Sequence, residues 1–480
     1  MAPWFGGVIA QGPMRAAVFS FSPLDLAVVG LFLLAVLTLG LRLGRRAGPA
    51  EEFLLAGRRL TLPMFVGSLV STWYGGILGV GEIAFSDGVV TWVTQGGFWY
   101  LSYFVFAFFL AERLSRSKQV TLPDQLGLLH GPRARVVASL LNFLNVVPVA
   151  YMLSMGLVAH LILGCPVWLG TVLGATLVLG YSALGGFRAV VYTDLLQFAL
   201  MCVAVALLMI FAVVKLGGSD YLTLRLPPAH LQPRGHVSGQ ELFVWALIAL
   251  STLVDPNFYQ RCYAALTPRV ARLGVLCSIG FWMLFDVCTT FTGLYARAAL
   301  PTADPRLAYP LLANRLLPPG VKGIFFVGLL ATVMGTVDSY CFVAATTLSH
   351  DFFRRTLRPD ATDETVVRTT RWALLFTVVL AVLLSLASGG SIKGVWKTLG
   401  SLSTSALLVP MLLGQLGWRP RGAGLAAMLA GAGGTLGWAA LRRFGPPWAR
   451  RLEVMVPGLG LSLSAYAGAG LLSRGGKGTP

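Results

Sequence analysis

A carboxylate inside an apolar run must pair, take up a proton or hold a cation, because an unanswered charge in hydrocarbon is expensive. Asp194, Asp255, Asp286 and Asp338 all stand in or beside apolar runs of this sequence. No Lys or Arg lies within two helical turns of Asp286 in its own segment, so it calls for a partner from another helix or for a proton. The stretch Ser71–Glu82 (STWYGGILGVGE) adds a second anomaly: four glycines and a glutamate in its last eight residues, inside a run long enough to cross a bilayer. Glu82 and Asp87 fall at the outer end of that run and read as boundary residues. The chemistry in prospect is the binding and release of ions or small solutes. Bond-making would need a nucleophile with its base or a set of metal ligands. His130, His160 and His350 are scattered without i, i+4 partners, and the sequence is not read as an enzyme.

Loose backbone cannot face lipid, since each unsatisfied N–H or C=O there costs several kcal/mol. A glycine-broken span therefore has to line a buried cavity. Secondary transporters use such discontinuous helices in two inverted repeats, with freed carbonyls and helix ends at the binding site. A second break stands about 180 residues later, in Ser251–Arg261 (STLVDPNFYQR), where Pro256 removes a backbone donor. The competing reading is a packing kink in one place and a helix that ends at Pro256 in the other. A cavity between two breaks makes Trp73, Tyr74 and Gly76 solute candidates on one side. Asp255, Asn257, Tyr259 and Gln260 are candidates on the other, with Asp255 a possible counter-charge to a cationic group. Trp73 and Tyr259 also fit interfacial anchoring or helix packing.

The elements that must hold these residues are membrane spans. Of 480 residues, 56% are hydrophobic and 12% charged, against roughly a quarter charged in soluble domains. The net charge of +18 sits in short clusters between apolar runs, which excludes a nucleic-acid binder and suits topology-fixing loops. The six cysteines show no CxxC or Cys/His spacing and read as small buried residues. About 13 spans are expected by the ~20-residue criterion, at 24–43, 61–86, 89–112, 133–164, 167–185, 189–215, 240–262, 270–298, 320–350, 366–387, 392–416, 424–441 and 453–472. With the N-terminus outside, 23 of 37 Lys and Arg fall on the cytoplasmic side, Arg261 counted among them. Arg442, Arg443, Arg450 and Arg451 are the main exception.

Gly185–Gln197 (GGFRAVVYTDLLQ) resembles the signature of the sodium:solute symporter family. Residues 71–88 resemble that family's first core helix, 255–272 its sixth with the following loop, and 331–351 its eighth. The resemblance implies an all-α, leucine-transporter-type fold of five-plus-five inverted repeats with discontinuous first and sixth core helices. It implies a Na+ site built from the carbonyls of Leu69, Thr72 and Thr332 and from side-chain hydroxyls at 335 and 336. Thr336 matches, whereas position 335 is glycine where the family usually has serine, so one ligand oxygen is missing. Asp338 lies one turn from Gly335 and can approach the same place. Three readings stay open: sodium with water in the gap, a proton coupled through Asp338, or a weakly coupled carrier. Asp194 is linked to cation transport by the resemblance; the plainer reading pairs it with Arg188 or a helix N-terminus. Gln95 and Tyr151 match family solute positions, Tyr151 also fitting packing.

The expectation is a sodium-coupled symporter that imports a small polar organic solute by alternating access, with no cofactor beyond the coupling ion. A proton-coupled or weakly coupled carrier is the first alternative. A transporter-like membrane sensor is the alternative of another class, although such sensors usually carry an appended signalling domain and this chain stops at Pro480. The expected partners are solute, sodium ion or proton, and the lipid bilayer of the cell (inner) membrane, with the C-terminus cytoplasmic. The solute and the oligomeric state are not readable from sequence. Lys393 and Lys397 keep an anionic solute possible. The expected division is an N-terminal extramembrane segment (1–23), a flanking helix (24–43), a first repeat (61–215), a second repeat (240–416) and two C-terminal helices (424–472).

Overall fold

In a computed structural model, residues 19–44, 49–388 and 392–475 are described. Most of the expected N-terminal segment lies outside them, as do the side chains of Lys393 and Lys397. The described chain is a stack of helices. It holds no strand, only one parallel bridge between Leu60 and Ala265. That bridge matters for position: Leu60 N–H donates to Ala264 O (3.1 Å), and Leu266 N–H donates to Leu60 O (2.9 Å). It ties the entry of the first broken helix to the exit of the second.

The helices used below are α1 (Pro23–Gly44), α2 (Leu62–Trp73), α3 (Ile77–Asp87), α4 (Trp92–Ser117), α5 (Pro132–Leu163), α6 (Val167–Leu216), α7 (Gly239–Ala264), α8 (Pro268–Ala299), α9 (Val321–Leu357), α10 (Asp363–Ala387), α11 (Ile392–Gln415), α12 (Ala423–Phe444) and α13 (Met455–Gly475). Ten of the described helices are long and apolar enough to cross a membrane, and the bent pair α2–α3 adds an eleventh span. The expected count of 13 differs at two places. α6 covers 50 residues as two helices joined across a kink; straight, it would run about 75 Å, far beyond a ~30 Å hydrocarbon core. It turns at Gly186, at φ +61° and ψ −162°, where a Cβ would stand 2.7 Å from Phe53 O; only glycine takes both the angle and the approach. α11 contributes a shorter apolar stretch, Leu399–Gln415.

Both breaks are present. α2 and α3 meet at 58° across Tyr74-Gly75-Gly76. α7 tightens into a 3₁₀ turn at Leu250–Val254, then restarts at Pro256 with Asp255 accepting the Asn257 N–H (2.8 Å) as its N-cap. α9 is the most enclosed helix, with 94% of its most apolar window buried. It packs on α6, α1 and α2, while α12 and α13 pack on each other and on α11 at one side.

Candidate functional site

Two small chambers flank the breaks and share the Trp73 and Trp99 rings as a common wall. One is lined by Tyr151, Ser251, Asp255 and Tyr340, with Leu399, Gly400 and Ser403 from α11. Asp255 accepts the Tyr340 hydroxyl at 3.0 Å, and the Tyr151 and Tyr340 rings lie 5.3 Å apart. The other is lined by Tyr74, Gly76, Gln95, Tyr103, Trp282 and Asp286. Here Trp73 meets Trp99 edge-on at 5.5 Å and Tyr103 at 6.1 Å, and Tyr103 lies 4.3 Å from Trp282. Asp286 finds its partners on other elements: Tyr74 donates its hydroxyl at 2.5 Å and Tyr100 at 2.6 Å. No Lys, Arg or His lines either chamber among the described residues.

Next to these chambers lies a buried polar core around Arg261, whose side chain is 0% exposed. Its guanidinium donates to Thr72 Oγ1 and Ser339 Oγ (2.7 Å each), Ser68 Oγ (3.1 and 3.2 Å), Asn257 Oδ1 (3.2 Å) and Gln260 Oε1 (3.3 Å). It pairs with Asp194 Oδ2 at 3.4 Å and stacks over the Phe187 ring at 5.2 Å. Ser68 Oγ also donates to Asp194 Oδ2 at 2.6 Å. Asp338, fully buried, accepts the Tyr181 hydroxyl at 2.5 Å.

Of the expected ion residues, Thr72 and Asp194 meet Arg261; the others lie on the same three helices. Leu69, Thr72, Thr332, Gly335, Thr336, Asp338 and Asp194 all sit on α2, α6 and α9, and all are buried. Thr336 Oγ1 donates to Thr332 O at 3.2 Å and faces Gly75. Asp194 does not pair with Arg188, which reaches Glu52 at 3.3 Å. Arg261 is not a loop charge; it is the centre of the core, so it drops out of the cytoplasmic count. Of the solute candidates, Trp73, Tyr74, Gly76, Gln95, Tyr151 and Asp255 line the chambers. Asn257, Tyr259 and Gln260 do not. The restarted α7 turns Asn257 and Gln260 onto Arg261, while Tyr259 donates to Leu253 O at 2.8 Å and packs on Phe106.

Sequence reading missed Arg261, Trp99, Tyr100 and Ser339. The available signal was an arginine one turn after Asn257, inside a broken span. It also missed a clamp at the far end of α9. There His350 meets Asp124 Oδ2 at 2.7 Å, Asp351 accepts from Thr121 at 2.7 Å, and Arg355 reaches Asp124 at 3.5 Å. Ligand-type atoms of Asp124, His350 and Asp351 lie within 4.8 Å of one another, with Arg355 paired to Asp124 alone.

Broken helices meeting over buried chambers and a buried ionic core define a membrane transporter of the inverted-repeat class. Comparison with solved structures agrees on the fold. A sodium-coupled sialic acid symporter, substrate-bound and outward-open, superposes with a TM-score of 0.81 over 94% of this chain and 98% of that one, at 16% identity. Residues 53–431 match the sodium:solute symporter family, and the chain belongs to it. The high-affinity proline transporter PutP of Bacillus subtilis is 24% identical over 90% of this chain and 92% of its own. The high-affinity choline transporter 1 of Caenorhabditis elegans is 24% identical over 81% and 73%. The protein is a transporter, not an enzyme.

Proposed function

We propose that the protein imports a small organic solute bearing an ammonium group, driven by a sodium gradient through alternating access. The observation that carries the coupling is that neighbouring residues serve both places. On α2, Thr72 touches Arg261 and Trp73 walls the chambers. On α9, Ser339 touches Arg261 and Tyr340 lines the first chamber. On α7, Asp255 lines that chamber while Asn257 holds Arg261. A change of ion in the core therefore moves the walls of the solute site, and the reverse holds by linkage.

The solute class is supported by the lining. Indole and phenol faces attract an ammonium group, most strongly when it is desolvated. Asp255 and Asp286 supply negative charge without a basic neighbour in the lining. Of the three relatives described above, one is named for choline, a cation, one for proline, which carries an ammonium beside a carboxylate, and one for sialic acid, an anion. We place the ammonium in the Asp286 chamber and the rest of the solute toward Asp255. The basic clusters support an outside N-terminus and cytoplasmic C-terminus in the cell (inner) membrane. The two broken helices support the division into repeats 61–215 and 240–416.

A second reading, proton coupling through Asp338, is favoured by its buried carboxylate with one oxygen, Oδ1, lacking a hydrogen bond. Thermal stability of the purified protein, in sodium against potassium at equal ionic strength and across pH, separates the two. The sodium reading expects a saturable sodium-specific rise in melting temperature, and a further rise with choline-like cations but not with sugars. A pH response lost in Asp338→Asn, with no sodium response, would replace it.

A further inference from the structure

A third cavity lies apart from the solute chambers, where spans end. It is an open groove of about 530 Å³ between the end of α4, the short helix Leu122–His130 and the end of α11. Arg113, Arg116, Arg419 and Gln415 line it, together with Leu128 and Leu416, and its lining holds no carboxylate. Arg113 Nη1 donates to Gln415 O (3.1 Å) and Arg419 Nε to Gly414 O (2.9 Å). Capping the last carbonyls of α11 in this way uses one of the five N–H donors on each guanidinium. Arg116 pairs with Glu112 at 2.8 Å, but the same carboxylate also holds Arg272 at 3.0 Å. Gln415 Nε2 is buried without a hydrogen bond. Capping therefore leaves most of the donors, and most of the positive charge, unanswered.

We propose that this groove seats an anionic phospholipid, its headgroup phosphate on Arg113, Arg116 and Arg419 and its acyl chains along Leu128 and Leu416. A guanidinium fork meets two phosphate oxygens at once, and basic pockets between membrane helices suit anionic headgroups. The leucines decide the source of the phosphate. Leu128 is 57% exposed and Leu416 70%, and a soluble phosphate would use the arginines and leave this apolar wall bare. A phospholipid answers both walls together. The depth agrees: Trp418, next to Arg419, packs edge-on against Tyr466 at 5.3 Å, and indoles gather at the level of the headgroups. A lipid held here ties α4 to α11, and α11 carries Ser403 in the wall of the first chamber.

The test is thermal stability of the purified full chain in a neutral detergent, titrated with phosphatidylglycerol, phosphatidylcholine or inorganic phosphate at constant ionic strength. Wild type is expected to show a saturable rise in melting temperature with phosphatidylglycerol and none with the other two. Arg113→Gln and Arg419→Gln are each expected to raise the half-saturating phosphatidylglycerol fraction about fivefold. The pair Arg450→Gln and Arg451→Gln, in the loop between α12 and α13, is expected to leave it unchanged. Leu416→Gln is expected to raise it too; this variant breaks no arginine bond, so it still reports if Arg113→Gln fails to fold. Equal rises with phosphatidylglycerol and phosphatidylcholine, or an equal loss in the Arg450 and Arg451 variant, would overturn the site. A response to inorganic phosphate matching that to phosphatidylglycerol, with Leu416→Gln unchanged, would overturn lipid as its occupant.

Discussion

Two buried carboxylates in this protein are answered in opposite ways. Asp194 meets a cation of its own chain, Arg261, inside a core where hydroxyls and amides crowd the guanidinium. Asp286 meets only the phenols of Tyr74 and Tyr100, and rings surround its chamber. A charge answered within the chain is architecture, since breaking the pair leaves an uncompensated ion in the dark. A charge answered only by neutral donors keeps its attraction for something that arrives from outside. The comparison separates an acid paired inside the chain from one that, on the function proposed above, is left to meet the solute.

The strongest way to break it is Arg261→Gln. Stranding Asp194 should cost about 3–5 kcal/mol, read as a large fall in melting temperature and in the yield of folded protein. The double variant with Asp194→Asn should recover most of that loss; no recovery would mean that Arg261 is not held for its charge. The complementary change, Asp286→Asn, should leave the melting temperature almost unmoved in the absence of solute. It should weaken binding of an ammonium solute by about 2 kcal/mol, roughly 30-fold, measured by competition binding in sodium. A stability loss equal to that of Arg261→Gln would erase the distinction.

A finer probe is Trp99→Leu, which removes a ring shared by both chambers. Loss of a desolvated cation–π contact is worth about 1–2 kcal/mol, so a choline-like cation should bind roughly 5- to 30-fold more weakly. A neutral isostere of the same shape should bind with unchanged affinity, and equal losses for both would assign the ring to packing. The smallest effect is expected at Gln260→Ala. Its long bonds to Arg261 and Leu54 (3.3 and 3.4 Å) support a cost near 1 kcal/mol, with solute affinity unaltered. A clear affinity change would return Gln260 to the solute site.

Much of the frame could be read without coordinates because bilayers punish the relevant errors locally. Glycines 75 and 76 and the Asp255-Pro256 pair announce broken helices by themselves, since their backbone chemistry does not depend on what packs against them. Asp286, with no basic neighbour along its helix, announced that its partner would come from elsewhere. The failures share one cause. Arg261 read as one more loop charge because a run of sequence does not say which way a nine-residue helix faces. Asn257 and Gln260 are solute candidates in the sequence because they follow the break; in the restarted helix both side chains accept from Arg261.

What the sequence determined alone is therefore a many-span, inverted-repeat symporter, its two discontinuous helices and its short inventory of intramembrane acids. Helix length, hydropathy and backbone-breaking residues are properties of single segments, and the lipid reads them one segment at a time. Only the tertiary structure decided which acid meets which partner: Arg261 against Asp194, and phenols against Asp286. Those pairings join residues more than sixty positions apart in the chain, and their energies appear only when helices close enough to exclude water bring the atoms within hydrogen-bond reach.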